Sequence, residues 1–194
     1  MAVAQQLGRA DLFRALHDLG RRAFDEGKTI EIAIYGGSAL MLLFDWRLAT
    51  RDVDAVFEAD KATVRRLARQ IAAENDWDED WLNDGVKGFL SADDGKPGSK
   101  RLFGTYPSDA EPGLRVMVAN PCYLFAMKCR AMRIDAADAS DDVADIRRLA
   151  REIGIADAAS AIGLVTAFYP GQRLAPKVQF GLEEIFAGPE TGSP

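Results

Sequence analysis

Two short stretches of this chain carry residues whose types and spacing can do chemistry. One is Gly36-Gly37-Ser38 and the other is Asp52-Val53-Asp54. Glycines let a backbone approach a ligand with no side chain in the way and tolerate unusual dihedral angles. A serine hydroxyl and the N-terminus of a following helix offer donors to a phosphate. Residues two apart on a strand face the same side, roughly 6–7 Å apart. Asp52 and Asp54 are therefore expected to present two carboxylates together, with Val53 pointing away. Two such carboxylates repel each other and are costly to bury unpaired, and a divalent cation relieves that repulsion. Magnesium takes one or two carboxylates and completes its shell with phosphate oxygens and water. The two stretches predict a site for magnesium, or manganese in its place, and a nucleoside triphosphate (NTP).

The elements that must position these groups are legible around them. Residues 30–35 (IEIAIY) read as a strand that runs into the Gly-Gly-Ser turn. Residues 39–46 read as a short apolar helix with Ser38 as its N-cap, and residues 51–57 as a second strand by alternation. Apolar periodicity predicts amphipathic helices over 9–27, 60–75 and 141–152. Residues 76–112 predict a short strand or two around a mobile loop at 92–100, and 114–118 (LRVMV) a third strand. Pro121 opens another helix at a favourable first-turn position. The polar run 134–140 interrupts the helical pattern, helices are expected over 156–168 and 174–187, and the tail after Gly188 is expected to be disordered. The fold class is α+β: a small mixed sheet flanked by helices, then a C-terminal helical segment. The expected division is a core over 1–133 that includes the N-terminal helix, a helical segment over 134–187, and the tail over 188–194.

Gly37-Ser38, a spacer and Asp52-x-Asp54 together resemble the signature of the nucleotidyltransferase (polymerase-beta-like) fold. Further segments extend the likeness: Met127-Lys128 in a helix, Arg133 nearby, and Asp142-x-x-Asp145-Ile146 look like motifs of the AbiEii-type nucleotidyltransferases. The run WLNDGVKGF at 81–89 is similar to an uncharacterised branch of that superfamily. The resemblance covers about residues 30–187. It implies that Gly36, Gly37 and Ser38 bind nucleotide phosphates and that Asp52 and Asp54 bind the metal. Lys128, with Arg133, would neutralise the triphosphate, and Asp142 and Asp145 would be additional acids. It also implies nucleotidyl transfer to an RNA, protein or small-molecule hydroxyl, with tRNA as one acceptor. Because such proteins are known as type IV toxins, it implies a cognate antitoxin as partner. Read without the resemblance, Lys128 either snorkels from an apolar face or reaches a phosphate, and Asp142 and Asp145 could pair within their helix with Arg147 or Arg148.

The chain departs from the family in one place. Many active members carry a third carboxylate on a later central strand, whereas LRVMV holds Arg115 as its only charged residue. Asp80, Asp84 or Asp145 could substitute from elsewhere. The alternative is a catalytically inactive module of the same fold that binds a nucleotide or a protein partner.

Composition narrows the remaining classes. With 24 Lys and Arg against 30 Asp and Glu, the net charge of −6 excludes a bulk electrostatic binder of nucleic acid. Any contact with RNA would need a local basic patch, and Arg65, Arg66 and Arg69 on one helix, or Arg147, Arg148 and Arg151 on another, are the candidates. A single histidine, His17, and two cysteines, Cys122 and Cys129, leave too few ligands for a structural zinc site. The cysteines read as small apolar residues of one helix rather than a disulfide, which points to the cytoplasm. No apolar run is long enough for a transmembrane helix, and the start lacks the layout of a signal peptide.

Overall fold

A computed structural model describes residues 6–57, 59–133 and 139–187. Its contacts divide the chain into two units: residues 1–88 with 100–119, and residues 89–99 with the chain from Asn120 onward. The division therefore falls at Asn120 rather than after 133, and the helix that begins at Pro121 goes with the helical unit. The expected interruption at 134–138 and the tail at 188–194 lie outside the described residues.

The first unit is a mixed α+β layer. In chain order it contains β1 (Leu7–Gly8), α1 (Arg9–Asp25), β2 (Ile30–Ile34), α2 (Gly36–Leu43), β3 (Ala49–Thr50), β4 (Val53–Val56), α3 (Lys61–Asn75), β5 (Leu82–Asn83), a 3-10 helix at Gly85–Phe89, β6 (Lys100–Pro107) and β7 (Pro112–Ala119). The main sheet has the order β5-β4-β2-β7-β6, and β1 pairs with β3 separately. β2 runs parallel to β7 and antiparallel to β4, β4 runs parallel to β5, and β6 is antiparallel to β7. Ile30, Ile32 and Ile34 of β2 and Leu114, Val116 and Val118 of β7 are all buried, while Arg115 between them is exposed. Leu12, Leu16 and Leu19 supply the buried stripe of α1, which lies almost in contact with the β7 backbone. A Cβ on Gly113 would sit 1.8 Å from the Gly20 carbonyl oxygen, so both positions accept only glycine at this separation.

Two local expectations are corrected. Ser38 is not an N-cap: α2 begins at Gly36, and Tyr35, in extended conformation, precedes it. The stretch 100–107 forms an eight-residue edge strand rather than a short one. Its burial does not alternate, and its register against β7 shifts between Leu102 and Gly104. That irregularity hides a strand from a search for period two. Phe103 lies at the shift, with its ring 6.1 Å from that of Phe13 on α1.

The second unit is helical: α4 (Pro121–Ala131), α5 (Ala139–Ile153), α6 (Ala158–Phe168) and α7 (Pro176–Ala187). Asn120 caps α4 by accepting from the Cys122 and Tyr123 amides at 2.8 and 3.3 Å. Side chains of the helices hold the segment 89–99 in place. The Ser91 amide donates to the Tyr123 hydroxyl at 2.7 Å, the Tyr169 hydroxyl donates to the Phe89 carbonyl at 2.6 Å, and the Ser91 hydroxyl donates to the Phe168 carbonyl. Cys122 and Cys129 are both free, and no described helix is long and apolar enough to cross a membrane.

The buried phenols of this unit set a pH dependence. Burial pushes Tyr123 from its ordinary value of 10.0 up to about 12, and it pushes Tyr169 upward as well. Above pH 10 an unfolded chain releases tyrosine protons that the folded chain keeps. Stability is thus fully present below that pH and is lost as the pH rises toward the folded value. Urea midpoints measured from pH 9 to 11.5 are expected to fall, and to fall less steeply in Tyr123→Phe than in the wild type.

Candidate active site

β2 delivers the chain to the glycine turn. Gly36 takes the left-handed region at φ 60°, where a residue with a Cβ is strained. The space is closed as well: a Cβ on Gly36 would lie 2.6 Å from Asp54 Oδ2. Turn and carboxylate are therefore built against each other. Beyond Gly36, the first intrahelical bond of α2 runs from the Ala39 amide to the Tyr35 carbonyl at 3.1 Å, and Tyr35 supplies no side-chain cap. The amides of Gly36, Gly37 and Ser38 thus open an eight-residue helix with no earlier carbonyl of that helix to bond, an arrangement that favours an anion. The Ser38 hydroxyl itself is buried and donates to the Tyr35 carbonyl at 3.0 Å. Its local job is to fasten the turn, so the donors at this end of α2 are backbone amides.

β4 carries the acids. Asp54 lies on the strand and Asp52 in the bend just before it, and both are half-buried. Val53 is fully buried. Asp54 is in register with Asn83 of β5, and Asn83 Nδ2 donates to Asp52 Oδ2 at 3.3 Å. A register partner shares its neighbour's face, so the residue that stands beside Asp54 also bonds Asp52. The Thr50 hydroxyl donates to the Asp52 carbonyl at 2.9 Å and fixes the bend.

The strands that follow β4 offer no further acid. β5, β6 and β7 carry none, and Arg115 stands opposite Glu31 in the β2–β7 register. Asp84 is taken up by Lys87 and by Arg65, whose Nη2 lies 3.2 Å away, and the Lys87 hydrogen bond holds its carboxyl below the ordinary value. Asp80 is exposed and lines a shallow cleft of about 200 Å³ with Asn83, Arg65 and Arg69. No group of three or more metal-ligating His, Cys, Asp or Glu side chains exists among the described residues. Asp52 and Asp54 therefore fit only a hard cation that takes its other ligands from substrate oxygens and water.

The remaining candidates gather in the helical unit. Lys128 Nζ lies 3.2 Å from Asp142 Oδ1 and 2.8 Å from Asp145 Oδ2, and Arg133 Nε lies 3.2 Å from Asp142 Oδ2. Asp142 and Asp145 lie one turn apart on α5 and face α4 together. All four residues that the resemblance singled out downstream converge on one ion-pair cluster, with Lys128 exposed by only 15%.

Other sequence candidates have structural partners. Arg65, Arg66 and Arg69 pair with Asp84, Glu26 and Glu79, so the α3 track is neutralised along its length. Lys87 pairs with Asp84, and Trp81 is core, its indole donating to the Ala68 carbonyl at 2.9 Å. Sequence reasoning missed Asn83 and Thr50. Each lacks a charge, and only strand register reveals its place.

Two outcomes follow for stability. Gly36→Ala is expected to cost about 1–3 kcal/mol from backbone strain plus the clash, and less in an Asp54→Ala background, as read from urea midpoints. Lys128→Met is expected to cost about 3–5 kcal/mol, because two buried carboxylates lose their shared cation. Arg133→Met should cost less, under about 1 kcal/mol by the same measurement, because the Arg133 side chain is more than half exposed and Asp142 keeps Lys128. No family model, curated protein or solved structure matches this chain.

Proposed function

We propose that the chain is a magnesium-dependent nucleotidyltransferase that moves a nucleotide from an NTP to a hydroxyl of an RNA, a protein or a small molecule. One observation carries the reading: the Asp54 carboxylate stands where a Cβ of Gly36 would be, 2.6 Å from that position. An acid placed against a bare, left-handed glycine at the start of an uncapped helix brings a cation ligand and phosphate donors within one ligand's reach.

In this proposal the amides of Gly36, Gly37 and Ser38 receive the phosphates. Asp52 and Asp54 would hold magnesium, which supplies charge neutralisation at the α-phosphate and the leaving oxygen when bound. Asn83, in register with Asp54, holds the Asp52 carboxylate through its Nδ2 donor. The acceptor oxygen forms a bond to the α-phosphorus, the bond from that phosphorus to the bridging oxygen breaks, and pyrophosphate leaves. The acceptor's proton goes to water. Lys128 stays with Asp142 and Asp145, so every group in this step comes from one unit. A tRNA end as acceptor and a protein antitoxin as partner enter through the resemblance alone and belong to this same proposal, as does action in the cytoplasm.

A second reading is a nucleotide-binding module without transfer. The observation that favours it is the acid-free run of β5, β6 and β7.

Each α-labelled NTP, incubated with magnesium and with total tRNA or lysate protein, separates the two. Label transfer that disappears in Asp52→Ala/Asp54→Ala is the expected result. Retained NTP binding by calorimetry without transfer to any acceptor selects the second reading. No NTP binding by the wild type, or binding unchanged in the double variant, overturns both.

A further inference from the structure

An NTP beside Asp52 and Asp54 brings anion to anion. A single divalent cation leaves such a site strongly negative, so the protein must supply positive charge near the turn. Two basic residues of the same unit lie there, and neither belongs to the motifs read from sequence.

Lys100 opens β6. Its position follows from one cross-strand row. Asn83 is in register with Asp54, and the Tyr35 amide donates to the Asp54 carbonyl at 2.9 Å. The β2–β7 register pairs Ile34 with Val118 and so sets Tyr35 beside Ala119, and Ala119 is in register with Lys100. The row Asn83–Asp54–Tyr35–Ala119–Lys100 therefore shares one face at one end of the sheet. Strands lie about 4.8 Å apart, a distance that an extended lysine side chain can span. The Ala119 methyl leaves the path open. Lys100 Nζ lies 6.0 Å from the centre of the Tyr35 ring, two strands across from its own. Tyr35 immediately precedes Gly36.

Arg47 lies against the turn itself. Its Nη2 lies 3.2 Å and its Cζ 3.5 Å from where a Cβ on Gly37 would stand, and its Nε donates to the Ala49 carbonyl at 3.1 Å. The guanidinium is thus laid against the bare backbone of the first turn of α2. A planar, permanently charged fork suits phosphate oxygens.

We propose that Arg47 and Lys100 are the polyphosphate-binding cations of the glycine-turn site, taking a chain of phosphates between them. This rests on the nucleotide reading above and deepens it.

The base is not needed for the test, so inorganic tripolyphosphate, pyrophosphate and orthophosphate serve as probes. Each is titrated calorimetrically into the full chain in magnesium buffer, with the four NTPs in parallel. The expected result is that Arg47→Gln and Lys100→Gln each weaken tripolyphosphate and NTP binding by about tenfold or more and change orthophosphate binding little. Arg47→Lys and Lys100→Arg, which keep the charge, should retain most of the affinity. Lys96→Gln, which removes an exposed lysine paired with Asp93, should match the wild type. Melting curves report the fold of each variant, and if a glutamine variant fails to fold, Lys100→Met and Arg47→Met replace it. Unchanged tripolyphosphate and NTP binding in the Arg47 and Lys100 variants overturns this inference while the nucleotide site stands. Equal weakening for all three probes, or the same loss in Lys96→Gln, also overturns it, as does NTP binding without tripolyphosphate binding. A wild type that binds neither NTP nor tripolyphosphate overturns both this inference and the function proposed above.

Discussion

The contact around which the glycine turn of the mixed unit is built is the approach of the Asp54 carboxylate to the Gly36 backbone. Any side chain at residue 36 would meet Asp54 Oδ2 at 2.6 Å and would also be strained at φ 60°. The pairing of β2 with β4 brings these groups together, since the Tyr35 amide bonds the Asp54 carbonyl one residue before the turn. Three consequences share this one register. The acid stands at the mouth of the helix, its neighbour Asp52 is held by Asn83 on the same face, and the end of α2 keeps its amides turned to a place where negative charge is already present. Negative side chains normally stabilise a helix N-terminus. Here the acid comes from the neighbouring strand β4 rather than from the helix itself.

The helical unit solves a different electrostatic problem. Asp142 and Asp145 are buried one turn apart on α5, and Lys128 of α4 lies between them at 3.2 and 2.8 Å. A lone buried carboxylate is costly, and a shared ammonium offsets two of them at once. The arrangement joins α4 to α5 with a specificity that apolar packing alone lacks. The same unit buries two phenols, Tyr123 and Tyr169, and uses both hydroxyls to hold segment 89–99. The stretch that follows Ser91, rich in Gly, Lys, Asp and Pro and read as a mobile loop, has partners in the backbone amide and Nδ2 of Asn120, the cap of α4, which donate to the Ser99 and Gly98 carbonyls. Its own sequence contains no sign of them, because the hydrogen-bonding groups that hold it lie further along the chain.

Most helices were legible because each carries its own signal. The apolar stripe of α1, Asp60 before α3, Pro121 after Asn120, and the amphipathic run of α5 are local patterns, and each structural boundary falls within a few residues of its expected place. The strands β2 and β7 were legible for the same reason, being dense in β-branched and apolar residues. β6 was not, because an edge strand with a register shift takes its geometry from its neighbour rather than from alternation. The Ser38 cap failed on a point of stereochemistry. Only glycine reaches φ 60° without strain, so the helix could begin three residues earlier than a serine-based rule places it.

The sequence by itself determined that this is an α+β chain, that a glycine turn follows its first long strand, and that two acids sit two apart near the start of the next. Those are statements about residue type and short-range spacing, and local sterics and periodicity suffice for them. Tertiary structure alone decided that Asp54 backs onto Gly36, that Asn83 bridges to Asp52, that Lys100 meets the Tyr35 ring and Arg47 lies against Gly37, and that Lys128 is engaged by Asp142 and Asp145. Each of those pairs joins residues distant in sequence, and strand register or helix packing chooses the partner. Register is a property of two strands at once, and no single stretch of sequence contains it.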